Sequence, residues 1–316
     1  LLETPLTLTL VGLVARSSTT GLPASPTQLF AQCLRTVCET WEDAKGPGSA
    51  RDGLDALQRL DVLRRLGWEA QQGKSNTVSA LAARRMLARV PAYAAAARAE
   101  AIVDGLASRN LLLRAETAGP GGLEVQRIGF AHPQFREYLA GAHFAAQIAL
   151  DADAAAATMA AHWFDSAWLG VLRFAMTTVE HDAELRDELL RAASSAADPY
   201  RDLLHRAEFL VADLLARLAS ADAAVVSAVA ECLEQAAITE PALRDEAARK
   251  LLALAPHAPV KPAIRRFAQG KGAALAFFGD AAGEHGESFA WRLRAIEALA
   301  AAGAGGEART LALELP

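Results

Sequence analysis

Apolar positions recur along most of this chain at spacings of three and four, the period of an amphipathic helix, and one short stretch alone breaks into alternation. Thr4 to Arg16 is apolar almost throughout and leads into a polar, proline-marked turn, Ser17 to Pro26. From about Thr27 to Ala44, Leu29, Cys33, Val37 and Trp41 fall four apart on one face, with Thr27 as the candidate N-cap. Gly46-Pro47-Gly48-Ser49 interrupts the pattern and marks a boundary. A long helix is then predicted from Ser49 toward Gly73, carrying Leu57, Leu60, Leu63 and Leu66, and a further one from about Val78 to Val90, ended by Pro91.

After a helix from about Arg98 to Ser108 the grammar changes. Leu111 to Glu116, the turn Gly119-Pro120-Gly121-Gly122, and Leu123 to Phe130 give partial two-residue alternation across a glycine-rich turn, the signature of a β-hairpin. Helices followed by one two-stranded wing are the plan of a winged helix. It is closed by a helix from Pro133, a favourable first-turn residue, to about Ile148, with Phe135, Leu139, Ala142 and Ala146 on one stripe.

Beyond about Asp151 no strand signal is left. Helical stretches near Asp165 to Glu180, Ala183 to Ala196, Tyr200 to Ser220, Ala221 to Gln235, Pro241 to Ala255 and Phe289 to Ala302 follow one another with short polar or proline breaks. One of them carries Leu203, Ala207, Leu210, Leu214 and Leu218 on one stripe. Paired helices at this cadence resemble an α-solenoid of HEAT type, with a generic helical bundle as the other possibility. The expected fold class is thus mainly α: a partial helical domain over 1–46, a winged helix with one β-hairpin over 47–150, and a HEAT-like array over 151–316.

Composition narrows the function. The 316 residues are 52% hydrophobic but only 6% aromatic, too apolar for a disordered chain and too poor in aromatics for a β-sandwich. No apolar run of about 18 residues survives without a charge, so no membrane partner is expected. Cys33, Cys38 and Cys232 are odd in number and lack a CxxC, which suits a reducing cytoplasm. Residues 1–150 hold 16 Lys and Arg against 13 Asp and Glu, whereas the remainder holds 16 against 24, so the array is acidic. That balance argues against nucleic acid as a partner. The first residue is Leu1 rather than Met, and the chain reads as a piece of a longer protein.

The short motifs mostly exclude. Gly73-Lys74-Ser75 suggests a phosphate-binding loop, but Gly67 stands one residue too far away and the residues between continue a helix; a helix C-cap is expected instead. The seven histidines show no HExxH and no tight cluster with Cys or Asp, so no metal site is expected. No GxSxG elbow or marked cysteine nucleophile is present, which leaves no catalytic residue to nominate. Arg84, Arg85, Arg89, Arg98, Arg109 and Arg127 are the residues a winged-helix DNA reader would use.

The strongest local signal is Phe130-Ala131-His132-Pro133-Gln134-Phe135-Arg136-Glu137-Tyr138-Leu139-Ala140. Following a short hairpin, it resembles the winged-helix signature of NACHT-family signal-transduction NTPases, which include animal NOD-like receptors and many bacterial antiphage sensors. Thr4-Pro5-Leu6-Thr7-Leu8-Thr9-Leu10 is similar to the Asn-Pro-Leu-Leu-Leu segment of that family's first helical domain, with Thr4 in place of Asn. Leu22-Pro23, Leu29-Phe30, Trp41 and Leu66 to Ala70 fall in the expected order, and the resemblance covers about residues 1–180.

The resemblance implies that Pro5 packs on the adenine and His132 reaches the β-phosphate of ADP, holding a closed, inactive state. Most of the ADP or ATP, and all of the magnesium, would be bound by a P-loop ATPase domain that this chain lacks. Arg136 and Gly141 depart from the family's commoner Gln and Ala. The implied function is the regulatory and sensor portion of a nucleotide-switched NTPase in antiphage defence, with its own ATPase domain, a protein trigger on the array and, when active, further copies of itself as partners. A nucleotide-independent helical scaffold and a DNA-binding regulator are the alternatives.

Overall fold

The computed structural model describes residues 5–17, 21, 23, 25–43, 54–107, 113–117, 126–162, 164–179, 182–194, 204–269 and 285–314. Among them the fold is mainly α, with fifteen helices and one three-stranded antiparallel sheet. The chain forms two compact units: Leu1–Leu150 with Ser166–Thr178, and Asp151–Asp165 with Val179–Pro316.

Unit 1 begins with α1 (Pro5–Ser17) and α2 (Pro26–Asp43). Ser25, not Thr27, caps α2: its Oγ accepts the Gln28 N–H at 3.2 Å, and Pro26 takes the first helical position. Thr27 instead shares a 2.6 Å hydrogen bond with Thr177. α3 runs from Ala56 to Gln72, starting later than Ser49 because Asp55 and Gln58 form a reciprocal capping box. The leucines it carries do not share one face. A step of three advances 300°, so Leu57 and Leu66 lie half a turn apart, and Leu57 is 79% exposed while Leu66 is buried. α3 ends in a Schellman motif: the Ser75 N–H reaches Ala70 O, the Lys74 N–H reaches Gln71 O, and Lys74 takes the left-handed conformation at φ 47°. Gly73-Lys74-Ser75 is therefore a helix terminus.

The sheet contains a strand that the alternation did not predict. β1 (Thr77–Ser79) pairs with β3 (Gln126–Phe130), which pairs on its other side with β2 (Leu113–Thr117), giving the order β1-β3-β2. Asn76 extends the first ladder by donating from Nδ2 to Phe130 O at 2.8 Å. Three residues are too few to show a period, and Ser79 serves at once as strand end and as N-cap of α4 (Ala80–Ala88). A helix was expected from Val78, and the strand displaces its start by two residues. α5 (Ala96–Ala107) leads to β2. The turn expected at Gly119 to Gly122 lies outside the described residues.

α6 (Pro133–Ile148) is the centre of unit 1 and matches its predicted bounds. It packs against α3 and, from the other side, α8 (Leu169–Thr178). A β-carbon on Gly67 of α3 would stand 2.8 Å from Leu139 Cβ and 3.0 Å from the Ala140 nitrogen. One on Gly141 would stand 2.7 Å from Phe174 Cβ and 2.8 Å from Val171 O. Both glycines exist because the helices meet backbone to backbone. Phe30 fills the space between, edge-on to Phe135 and Phe174 and stacked on Tyr138 at centroid distances near 5.5 Å.

Unit 2 comprises α7 (Ala152–His162), α9 (Ala183–Ser194), α10 (Arg206–Leu215), α11 (Ala223–Thr239), α12 (Arg244–Ala253), α13 (Lys261–Ala268), α14 (His285–Ala301) and α15 (Gly305–Leu313). α7, α13 and α15 had no predicted counterpart. Its helices touch mainly those one or two places away in sequence. Buried alanines, Ala236, Ala237, Ala247 and Ala248 among them, fill the seam between α11 and α12. Charge pairs tie others: Lys250 to Asp213 at 2.6 Å, Arg266 to Glu234 at 2.6 Å, and Arg265 to Glu307.

Candidate functional site

The motif that begins at Phe130 divides into residues that build the core and residues that do not. Phe130, Phe135, Tyr138, Leu139 and Ala140 are all at most 5% exposed and need no functional explanation. His132, Pro133 and Gln134 stay accessible at the start of α6. His132 is the N-cap, and its Nδ1 accepts the Gln134 N–H at 3.2 Å. In the neutral ring an accepting Nδ1 leaves the proton on Nε2, so the same histidine that closes the helix presents an N–H donor on its far side.

Pro5 opens α1, 127 positions earlier in the chain, and is exposed. Its carbonyl accepts a hydrogen bond from the Thr9 hydroxyl at 3.0 Å. Pro5, Leu6, Thr9, His132 and Gln134 line one open depression of about 380 Å³. The two residues nominated from sequence thus share one site, with Pro5 and Leu6 as an apolar side and the imidazole as a donor. Gln134 Oε1 is buried and meets no hydrogen-bond donor of the described residues. A buried acceptor left in this way is costly unless a ligand or water supplies the donor. Thr9 and Gln134 were not nominated, although Gln134 stands two residues from His132 within the motif.

The first turn of α6 offers little to an anion: Pro133 has no N–H, the Gln134 N–H is taken by His132 Nδ1, and the Phe135 N–H points to His132 O at 3.1 Å. An anion here would be met by the imidazole N–H rather than by backbone amides.

Along the same helix, His143 is different. It packs against Trp68 at 5.4 Å, and burial, with Arg65 adding to it, pushes its pKa down to about 4. It is a neutral, packed histidine near neutral pH. The close approach of α8 accounts for Gly141, since a larger residue there would collide with it. Arg136 pairs with its neighbour Glu137 at 3.5 Å, while burial raises the Glu137 carboxyl above its usual range.

The arginines of a DNA reader are largely engaged within the protein. Arg84 pairs with Glu100 at 3.1 Å, Arg127 donates to the Thr77 hydroxyl at 2.7 Å, and Arg98 lies 5.9 Å from the Tyr93 ring centre. Arg85 and Arg89 border a second, smaller hollow of about 220 Å³ with Ser79 and Glu69, and Arg109 lies outside the described residues. Among the described residues no helix is long and apolar enough to cross a membrane. Sequence spacing hid one further cluster: His205, Glu208 and Cys232 converge in unit 2 although Cys232 is 27 positions from His205.

No known family model matches the chain, and no curated protein matches it.

Proposed function

We propose that this chain is the regulatory and sensor part of a NACHT-type, nucleotide-switched signalling NTPase, acting in defence against phage. Unit 1 would be the helical and winged-helix modules that close over ADP held by a P-loop ATPase domain. The order of helices, the antiparallel β1-β3-β2 sheet and the following α6 support the winged-helix reading. Unit 2 would be the HEAT-like array that takes a protein trigger, a reading supported by its sequence-local packing and its acidic balance.

The observation that carries this reading is the shared depression of Pro5 and His132. An adenine needs an apolar plate and a phosphate needs a donor; Pro5 with Leu6 and His132 Nε2–H offer one of each. The phosphate cradle and the magnesium carboxylate would come from the ATPase domain, so the chain alone should neither hydrolyse ATP nor bind ADP tightly.

The test is the ADP off-rate in the protein expressed from its complete gene. A hydrogen bond to a charged phosphate contributes about 1.5 to 3 kcal/mol. His132→Ala should therefore speed ADP release roughly 10- to 150-fold and raise untriggered activity. His143→Ala, on the same helix but packed inward, should leave the off-rate unchanged. Equal rates for both variants return His132 to a purely structural cap. Removing residues from Asp198 onward should abolish triggering or leave it permanently on, and a normal response would place the sensor elsewhere.

A further inference from the structure

Three donor atoms of three chemical kinds meet in unit 2. His205 is the residue before α10, Glu208 lies in the first turn of α10, and Cys232 sits in the middle of α11; one ligand atom from each lies within 4.8 Å of the others. Glu208 is 4% exposed, and the other two are half-buried. Cys232 Sγ stands 3.4 Å from His205 Nδ1. Tetrahedral bonds of about 2.3 Å to sulfur and about 2.05 Å to nitrogen place those two atoms about 3.5 Å apart, so this pair already has the spacing of two zinc ligands.

The backbone adds to the arrangement. His205 holds φ 46° and ψ 34°, the left-handed region that a β-carbon disfavours, and its side chain makes no capping hydrogen bond to the helix it precedes. The conformation instead brings the imidazole to Cys232. The three donors are a nitrogen, an oxygen and a sulfur, a set that suits a borderline cation such as Zn²⁺.

We propose that His205, Glu208 and Cys232 form a three-ligand site for Zn²⁺ that clasps the start of α10 to the middle of α11, with the fourth position open to water. The mixed nitrogen, sulfur and oxygen donors select against Ca²⁺ and Mg²⁺, which prefer oxygen alone. Binding takes the Cys232 thiolate, so the thiol proton is released to solvent as the S–Zn bond forms.

The chain, stripped with chelator, is titrated with ZnCl₂ and separately with CoCl₂, and thiol alkylation is followed in both. Cys33 and Cys38 are 1% and 3% exposed, so Cys232 is the thiol that reports. About one equivalent should bind at micromolar or tighter affinity, Co²⁺ should give a thiolate charge-transfer band, and Zn²⁺ should slow alkylation of Cys232 by about tenfold or more. Glu208→Gln and His205→Asn should each weaken binding by at least about 100-fold, beyond what loss of an outer partner costs. Asn is chosen at 205 because it tolerates a positive φ. Alkylation of Cys232 at the same rate with and without Zn²⁺ overturns the site, and that readout needs no variant to fold. So does a Glu208→Gln protein that binds as tightly as the parent.

Discussion

Thr27 and Thr177 share a hydrogen bond across 150 positions of the chain in unit 1, and Gln71 Nε2 reaches Ala167 O across 96. In unit 2 the described side-chain bonds that join different helices span no more than 42, the reach of His257 to Leu215 O and of Arg265 to Glu307. The seams differ in material as well. Unit 1 centres on clustered rings and on two glycines where backbones touch, whereas unit 2 combines aliphatic side chains, alanines and paired charges with the ring pair of Phe267 and Trp291. A unit whose contacts are remote in sequence gains little until most of them form, so it should melt as one body. A unit built from near neighbours can open helix by helix. The first property would suit the proposed switch role of unit 1, and the second the proposed partner surface of unit 2.

The contrast is broken most severely at Phe30. Phe30→Ala should cost about 3 to 5 kcal/mol, because the ring is fully buried against three others. Calorimetry should then show the transition of unit 1 lowered or lost while that of unit 2 stays in place; a joint shift of both would mean that the units do not melt independently. Gly141→Ala should cost about 2 to 3 kcal/mol, since the new methyl meets backbone on α8 and not a flexible side-chain end. Urea titration of unit 1 would show it, and a neutral result would mean that α6 and α8 can part freely.

Acid should act on unit 1 through His143. Its folded pKa, near 4, lies below the unfolded value of about 6.5. The unfolded chain therefore takes up the proton first, and stability complete above about pH 6.5 is lost as pH falls toward 4. With solvent screening at a half-buried ring the loss is on the order of 1 to 2 kcal/mol. Glu137, whose pKa burial raises, works in the opposite sense at the acid end. His143→Gln should flatten the melting temperature of unit 1 between pH 6.5 and 4.5, and an unchanged slope would assign the effect to other groups. The smallest effect is expected at Arg266→Ala, which removes a pair with Glu234 that is half in water. It should cost less than about 1 kcal/mol and speed amide exchange only around α11 and α13. Faster exchange throughout unit 2 would contradict helix-by-helix opening.

The parts of this architecture that were legible in the sequence are those with local chemistry. α6 could be bounded at both ends because Pro133 fits a first turn and a stripe of apolar residues follows it. The start of α3 was misjudged because Asp55 and Gln58 cap it from within a charged stretch that also reads as helix. β1 was invisible: Thr77 to Ser79 is held by Phe130 and its neighbours, 50 positions away, and carries no periodicity of its own. For the site, His132 stood out through its motif, but the state of its ring did not. That depends on which N–H the cap engages, which only the folded turn reveals. Gln134 and the cluster of His205, Glu208 and Cys232 are set by approach in space and leave no spacing to read.

The glycine contacts on either side of α6 have a mechanical corollary. With no side chain between α6 and its two neighbours at those points, there is no cushion that rotamer changes could compress, and small sliding of one helix past another meets backbone at once. α3, α6 and α8 form a single girder, and His132 sits at its tip, nine residues or about 13 Å from Gly141. A bodily shift of the girder therefore carries the His132 cap with it.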